Sequence, residues 1–159
     1  MSSSKIAVST DDLTASTGSG YPPPFNDICQ GRSKKRLSDL FGLSQFGVNQ
    51  VTLAPGAASS QRHWHEKEDE FIYILAGEAT LITDEGETLL TAGMVAGFPA
   101  NNGNGHQIIN KSDSDVILLE VGSRSQEDVA HYPDIDLHVS GPRYNGAKAV
   151  FTHKDGTAY

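Results

Sequence analysis

In the stretch RHWHEKEDEFIYIL, running from Arg62 to Leu75, two histidines flank a tryptophan and a glutamate opens the next apolar run. Residues two apart in a strand share a face. His63 and His65 therefore present two imidazoles side by side, and Trp64 points away. Neutral imidazole nitrogens bind divalent metals. Glu70 follows a turn made by Glu66 to Asp69. A hairpin-like return places its carboxylate beside the two rings, with Ile72 and Ile74 as an apolar floor beneath. Taken one at a time these features have plainer readings: a single H-x-H is more often structural or surface-exposed, and an acidic run such as EKEDE is more often a solvated face.

The elements that must position these groups read as strands. From Leu43 onward, short runs rich in Val, Ile, Leu, Thr and Phe recur about every ten residues, with Gly, Pro, Asn and Asp between them. They are FGVNQVTL, EFIYIL, EATLIT, ETLL, GMVAGF, HQIIN and DVILLEV. That spacing predicts an all-β sandwich or barrel, and no sustained 3.6-residue apolar period predicts helix. Gly86 supplies the backbone freedom of a short hairpin loop in LITDEGETLL. In the first run Phe46 and Val48 have one parity and Val51 and Leu53 the other, which predicts a bulge near Asn49 or Gln50.

Residues 1–42 read as an N-terminal arm, extended through STGSGYPPPF, with the basic QGRSKKRL as a solvated turn. Residues 43–122 form the barrel core. Residues 123–159, where apolar residues are isolated among turn formers, form an irregular tail laid over the barrel or a partner. The three parts make one domain.

The combination of residues is more specific than any one of them. Gly56, His63, His65, Glu70 and Gly77 form G-x6-H-x-H-x4-E-x6-G, and Gly93, Pro99, His106 and Asn110 form a second block ending H-x3-N. This resembles the two-part signature of the cupin superfamily, closely from Gly56 to Asn110 and loosely from Leu43 to Val121. PANNGNGH is two residues longer between Pro99 and the histidine than the usual second motif. The resemblance implies a cupin-type double-stranded β-helix. It also implies one divalent metal ion per chain (Zn, Mn, Fe, Ni or Co), held by His63, His65, Glu70 and His106. Such a site leaves open positions for water or an oxygen substrate, and Glu70 can ligate or act as a catalytic base. The longer pattern CQGRSKKRL…FGVN…QRHWHEKEDEF…NGH…EVGSR…HYPDIDL also resembles a group of small bacterial cupins that have been called sugar-phosphate isomerases, a label that is analogy at family level.

Two functional readings follow. One is a metal-dependent enzyme, of isomerase or dioxygenase type, acting on a small oxygen-rich molecule. The other is a non-catalytic module that binds or senses a small ligand, its metal structural or absent. The formal net charge of −8 disfavours nucleic acid and anionic lipid as partners. It also weighs against a strongly anionic substrate unless a local basic pocket overrides it. Arg62, Arg143, Lys148 and Lys154 lie at no recognised phosphate motif, so phosphate binding is expected to be weak or absent. No apolar run reaches the roughly 20 residues that span a bilayer, and MSSSKIAVSTDDL lacks the apolar core of a secretory signal. A single cysteine, Cys29, fits a reducing, cytoplasmic setting; it reads as a buried apolar residue. His131, His138 and His153 read as solvated or hydrogen-bonded, Trp64 and Tyr73 as packing residues, and Arg62 as outward-facing. Exposed sheet edges predict a homodimer.

Overall fold

The computed structural model describes residues 6–141, 143–144 and 146–159. Thirteen strands and three short 3-10 helices occur among them. The strands are β1 (Ser16–Thr17), β2 (Arg32–Arg36), β3 (Phe46–Leu53), β4 (Trp64–His65), β5 (Glu70–Ala76), β6 (Glu78–Thr83), β7 (Gly86–Thr91), β8 (Val95–Phe98), β9 (Gln107–Ile109), β10 (Val116–Ser123), β11 (Val129–His131), β12 (His138–Ser140) and β13 (Phe151–Thr152). One sheet has the order β1-β2-β3-β10-β5-β8, a second β13-β12-β11-β4 and a third β7-β6-β9. Every strand pairing is antiparallel. No helix among the described residues is long and apolar enough to cross a membrane.

Strand alternation builds the core. On β5, Ile72 and Ile74 are buried while Phe71, Tyr73 and Leu75 are exposed. In register across the same sheet, Val51 and Leu53 on β3 meet Leu118 and Val116 on β10. Ala79, Leu90 and Ile108 of the third sheet pack onto this face. Complete burial of each large aliphatic side chain contributes about 1.5–3 kcal/mol, so one end of the sandwich is a dry, rigid base. Asn110 closes that base: its side-chain amide donates to Leu53 O and Ser114 O, and its Oδ1 accepts from Ser112 N. Gly77 takes φ +82°, and a Cβ there would lie 2.5 Å from Asp115 O, so the turn between β5 and β6 accepts no side chain. These two signature residues are needed by the backbone, not by a ligand.

Four expectations need correction. First, β3 pairs with β2 and β10 without a break, so no bulge occurs at Asn49 or Gln50. Its inward parity is Gly47, Asn49, Val51 and Leu53, which leaves Phe46 exposed. The register shift falls instead between β5 and β10, at Ile117/Leu118. Second, RSKKR is not a solvated turn but strand β2, paired from Arg32↔Leu53 to Arg36↔Asn49. Lysine and arginine carry long aliphatic stems that a sheet can cover while the charge stays wet. Third, the segment before Leu43 is not a loose arm: β1 and β2 extend the main sheet, and Tyr21 and Phe25 pack against a buried cluster of Ala130, Tyr132, Leu137 and Val139. Fourth, the tail is not irregular, since β11, β12 and β13 form a sheet with β4.

Candidate metal centre

At the open end of the sandwich the two layers supply different chemistry. Glu70 heads β5 and faces inward beside Gly122 of β10 and Phe98 of β8. The facing layer brings His63, His65 and His106. His63 and His106 are joined as an antiparallel bridge, with N–H···O distances of 3.1 and 2.9 Å. His65 lies two residues on, in β4, opposite Ala130. Trp64 turns away and stacks on His131 at a centroid distance of 4.2 Å.

The three imidazoles converge on one carboxylate oxygen. Glu70 Oε2 lies 3.6 Å from His63 Nε2, 3.5 Å from His65 Nε2 and 2.7 Å from His106 Nε2. That oxygen is sealed from solvent, and no N–H is aligned on it as a hydrogen bond. A buried carboxylate oxygen without an aligned donor is costly unless something else satisfies it. His63, Glu70 and His106 lie close enough together to chelate one ion, and His65 Nε2 is 3.5 Å from the same carboxylate oxygen, so the donor set fits a divalent metal bound through nitrogen and oxygen.

Each ring is held from behind. His63 Nδ1 is 2.8 Å from Gln61 O, and the ring stacks on Tyr132. His65 Nδ1 is 2.6 Å from Asp128 Oδ2. His106 lies flat on Phe98 at 3.7 Å. For His63 and His65 the Nδ1 contact leaves Nε2 free for a metal, the arrangement that fixes ring orientation in metal sites. Burial pushes the Glu70 carboxyl up, but His106 and His63 outweigh it, and its pKa stays well below the usual carboxylate range. Burial lowers the pKa of His106, only partly opposed by Glu70. Burial also works to lower that of His65, but the Asp128 hydrogen bond and the charges of Glu70 and Asp128 raise it.

Asp128, Glu68, Arg143 and Tyr144 form a second cluster behind His65. Asp128 is fully buried. It accepts from Lys67 N at 2.8 Å and from Arg143 at 2.5 Å. Burial raises its pKa, but the hydrogen bonds from His65 and Lys67 N prevail and set it at about 2. Glu68 accepts from Ser125 N, Tyr144 and Arg143. His65, Glu68 and Asp128 are close enough to chelate an ion, but donors already occupy their oxygens, so this cluster is a brace for His65. Sequence reading missed it. Asp128 lies 63 residues from its histidine, in QEDVAH, with no motif of its own.

The remaining histidines stay outside the centre. His131 pairs with Glu66 and His153 with Asp136. Cys29 is wholly buried, and burial pushes its thiol pKa up. Arg62 faces away from the centre and latches Asp134, Asp84 and Gly105 O together. This anchors the lengthened loop: Gly103 takes φ +74°, and a Cβ on Gly105 would meet Arg62 and Pro133 at 3.0 Å. Both extra residues are thus absorbed before His106, whose bridge to His63 is intact. Above the centre opens a cavity of about 650 Å³, walled by β2, β3 and β10 on one side and by Tyr132, Arg143 and Tyr144 on the other.

Comparison with known proteins places this geometry in a family. The family described as "Cupin domain" matches residues 49–122. A structure from Silicibacter pomeroyi DSS-3, described as a sugar phosphate isomerase from the cupin superfamily, is 41% identical, with 96% of each chain covered and a TM-score of 0.89. A protein from Acidithiobacillus ferrooxidans ATCC 23270, carrying a provisional form of the same name, is 27% identical over 80% of each chain, with a TM-score of 0.70. A Thermotoga maritima protein described as a predicted oxalate decarboxylase shares the fold at 22% identity and a TM-score of 0.59, over 76% of this chain and all of that one. No curated protein matches the chain.

Proposed function

Because this chain belongs to the cupin superfamily, we propose that it is a mononuclear metal-dependent enzyme acting on a small oxygen-rich molecule, with His63, His65, Glu70 and His106 as metal ligands. The observation that carries this reading is the convergence of three Nε2 atoms on a sealed Glu70 oxygen with no aligned donor. The metal, when bound, supplies a Lewis acid for a carbonyl or hydroxyl oxygen. The residues of the chain do the rest. His63 and His65 are fixed by Gln61 O and Asp128, and Tyr132 and Phe98 exclude water from the rings. Glu70 is ionised and is placed to take a proton from a group bound beside it. Isomerisation is the favoured reaction, supported by the name of the S. pomeroyi relative; an oxygenase is the alternative.

The test is a turnover screen of the metal-loaded protein on aldose and ketose phosphates and on organic acids, with and without oxygen. Interconversion of an aldose and a ketose without oxygen supports the isomerase. Oxygen-dependent turnover assigns the oxygenase. Metal uptake with no turnover in any arm assigns the chain to small-ligand binding.

We also place the protein in the cytoplasm, as one domain in which 1–42 and 123–159 add strands to the 43–122 core, and as a homodimer. The dimer proposal now rests on a sheet face more than on edges. Phe71, Tyr73 and Leu75 project outward from β5, with Val95 of β8 beside Tyr73, and all four are 38–53% exposed. A contiguous apolar patch of this kind marks an association surface. Sedimentation at micromolar concentration is expected to give a dimer for the wild type and a monomer for Tyr73→Glu; a monomeric wild type removes the proposal.

A further inference from the structure

The charges around the cavity are distributed against the net charge of the protein. Arg32, Lys34 and Arg36 alternate on β2 and face the cavity beside Leu53, Val51 and Asn49 of β3. Lys34 is neutralised by Glu120, 2.8 Å away. Arg124 and Arg143, which also line the cavity, are neutralised by Asp39, Asp128 and Glu68. Arg32 and Arg36 have no carboxylate partner among the described residues. Arg36 makes no side-chain hydrogen bond among them, and Arg32 reaches only Ser59 O. The Arg32 Nε–H is buried and unpartnered, and the buried hydroxyl of Ser19 lies beside the Cys29 thiol. Arg32 and Ser19 are neighbours, since Gly18 N bonds Arg32 O, and both line the cavity.

A protein of net charge −8 thus keeps two guanidinium groups without carboxylate partners, Arg32 half-buried and Arg36 exposed, along one wall of a cavity that Lys148 also lines. Guanidinium and hydroxyl donors match the oxygens of a carboxylate or phosphate, and low-dielectric walls focus their field. The expectation of weak phosphate binding rested on Arg62, Arg143, Lys148 and Lys154 and left Arg32 and Arg36 out of account.

We propose that the β2 wall, through Arg32, Arg36 and Ser19, is an oxyanion subsite that holds the anionic end of the substrate. The inference rests on the metal-site reading, because the other end of that substrate meets His63, His65, Glu70 and His106. From β2 to β5 there are three interstrand steps of about 4.8 Å each. The substrate is therefore an elongated molecule, with metal-binding oxygens at one end and a carboxylate or phosphate at the other.

The experiment is calorimetric titration of the full, metal-stripped chain with inorganic phosphate and, separately, malonate at constant ionic strength. Wild type is expected to bind at least one of them. Arg36→Gln, which breaks no hydrogen bond or ion pair, and Arg32→Gln are each expected to raise Kd at least tenfold, while Lys111→Gln, which removes an exposed charge paired with Glu87 outside the cavity, leaves it unchanged. Tighter binding of phosphate identifies a phosphate end, and tighter binding of malonate a carboxylate end. No binding of either anion by wild type overturns the subsite. So does equal binding by wild type and both arginine variants, or an equal loss in Lys111→Gln, which would assign the binding to overall charge alone. Metal content, measured on the same samples before stripping, reports separately on the metal-site reading, so either can fail without the other.

Discussion

His65→Ala is expected to weaken metal binding more than any other single change at the centre, by upwards of about 100-fold. Loss of a mere outer hydrogen-bond partner already costs roughly 10–100-fold in metal affinity, and removal of a ligand exceeds it. His65 is singled out because its ring is fixed through Nδ1 by a fully buried, ionised carboxylate. Among its neighbours, Trp64 is turned away onto His131, and Glu68 and Asp128 are already held by Ser125 N, Tyr144, Lys67 N and Arg143. The fold should survive, since the core of Val51, Leu53, Ile74, Val116 and Leu118 lies at the other end of the sandwich. Competition with a chelating dye measures the affinity, and circular dichroism checks the fold. Glu70→Gln is expected to be milder, retaining a ligating oxygen but losing the charge that offsets the cation. Affinity unchanged in His65→Ala would remove His65 from the ligand set.

Asp128→Asn carries the second large effect, and it acts on two quantities at once. The neutral amide no longer anchors an imidazole N–H as a carboxylate does, so metal affinity is expected to fall about 10–100-fold. It also strips Arg143 of its closest counter-charge, leaving only Glu68 at 3.1 Å. Breaking a buried ion pair from one side costs about 3–5 kcal/mol; the surviving Glu68 contact puts the expected loss at the lower end or below it. Chemical denaturation of the metal-free protein isolates the stability change, and dye competition the affinity change. If stability falls while affinity does not, Asp128 braces the tail alone and His65 is oriented without it.

The sequence made the sandwich and the ligand set readable because both are local. Alternation in EFIYIL puts Glu70 on the same face as Ile72 and Ile74, and the structure has that parity. H-x-H, the following turn and the first residue of the strand fall within the eight residues from His63 to Glu70, and they do bring His63, His65 and Glu70 together. His106 was legible only through resemblance, because its place depends on a backbone bridge to a residue 43 positions away. The brace behind His65 was not legible at all. Asp128, Arg143 and Tyr144 come from a stretch whose strands are three residues or fewer, too short to show a period. The basic stretch was misread for a different reason. Its signal was present, since Arg32, Lys34 and Arg36 alternate, but hydrophobic periodicity ignores charged residues that line a wet cavity on one side of a sheet. In β3 the parity conflict that suggested a bulge has a simpler origin: Gly47 and Asn49 face inward where the cavity needs space and polarity, and Phe46 and Val48 sit on the outer side.

Three imidazoles and one carboxylate are expected to hold a single metal ion, and metal content measures this without an assay of turnover. The purified chain is reconstituted in turn with Mn, Fe, Co, Ni and Zn, freed of excess by gel filtration, and analysed by mass spectrometry for metal and protein. Close to one ion per chain is expected for at least one of these metals, and much less than one in the His63, His65 and His106 alanine variants. No stoichiometric metal in the wild type under any of the five conditions, or undiminished metal in all three variants, would contradict it.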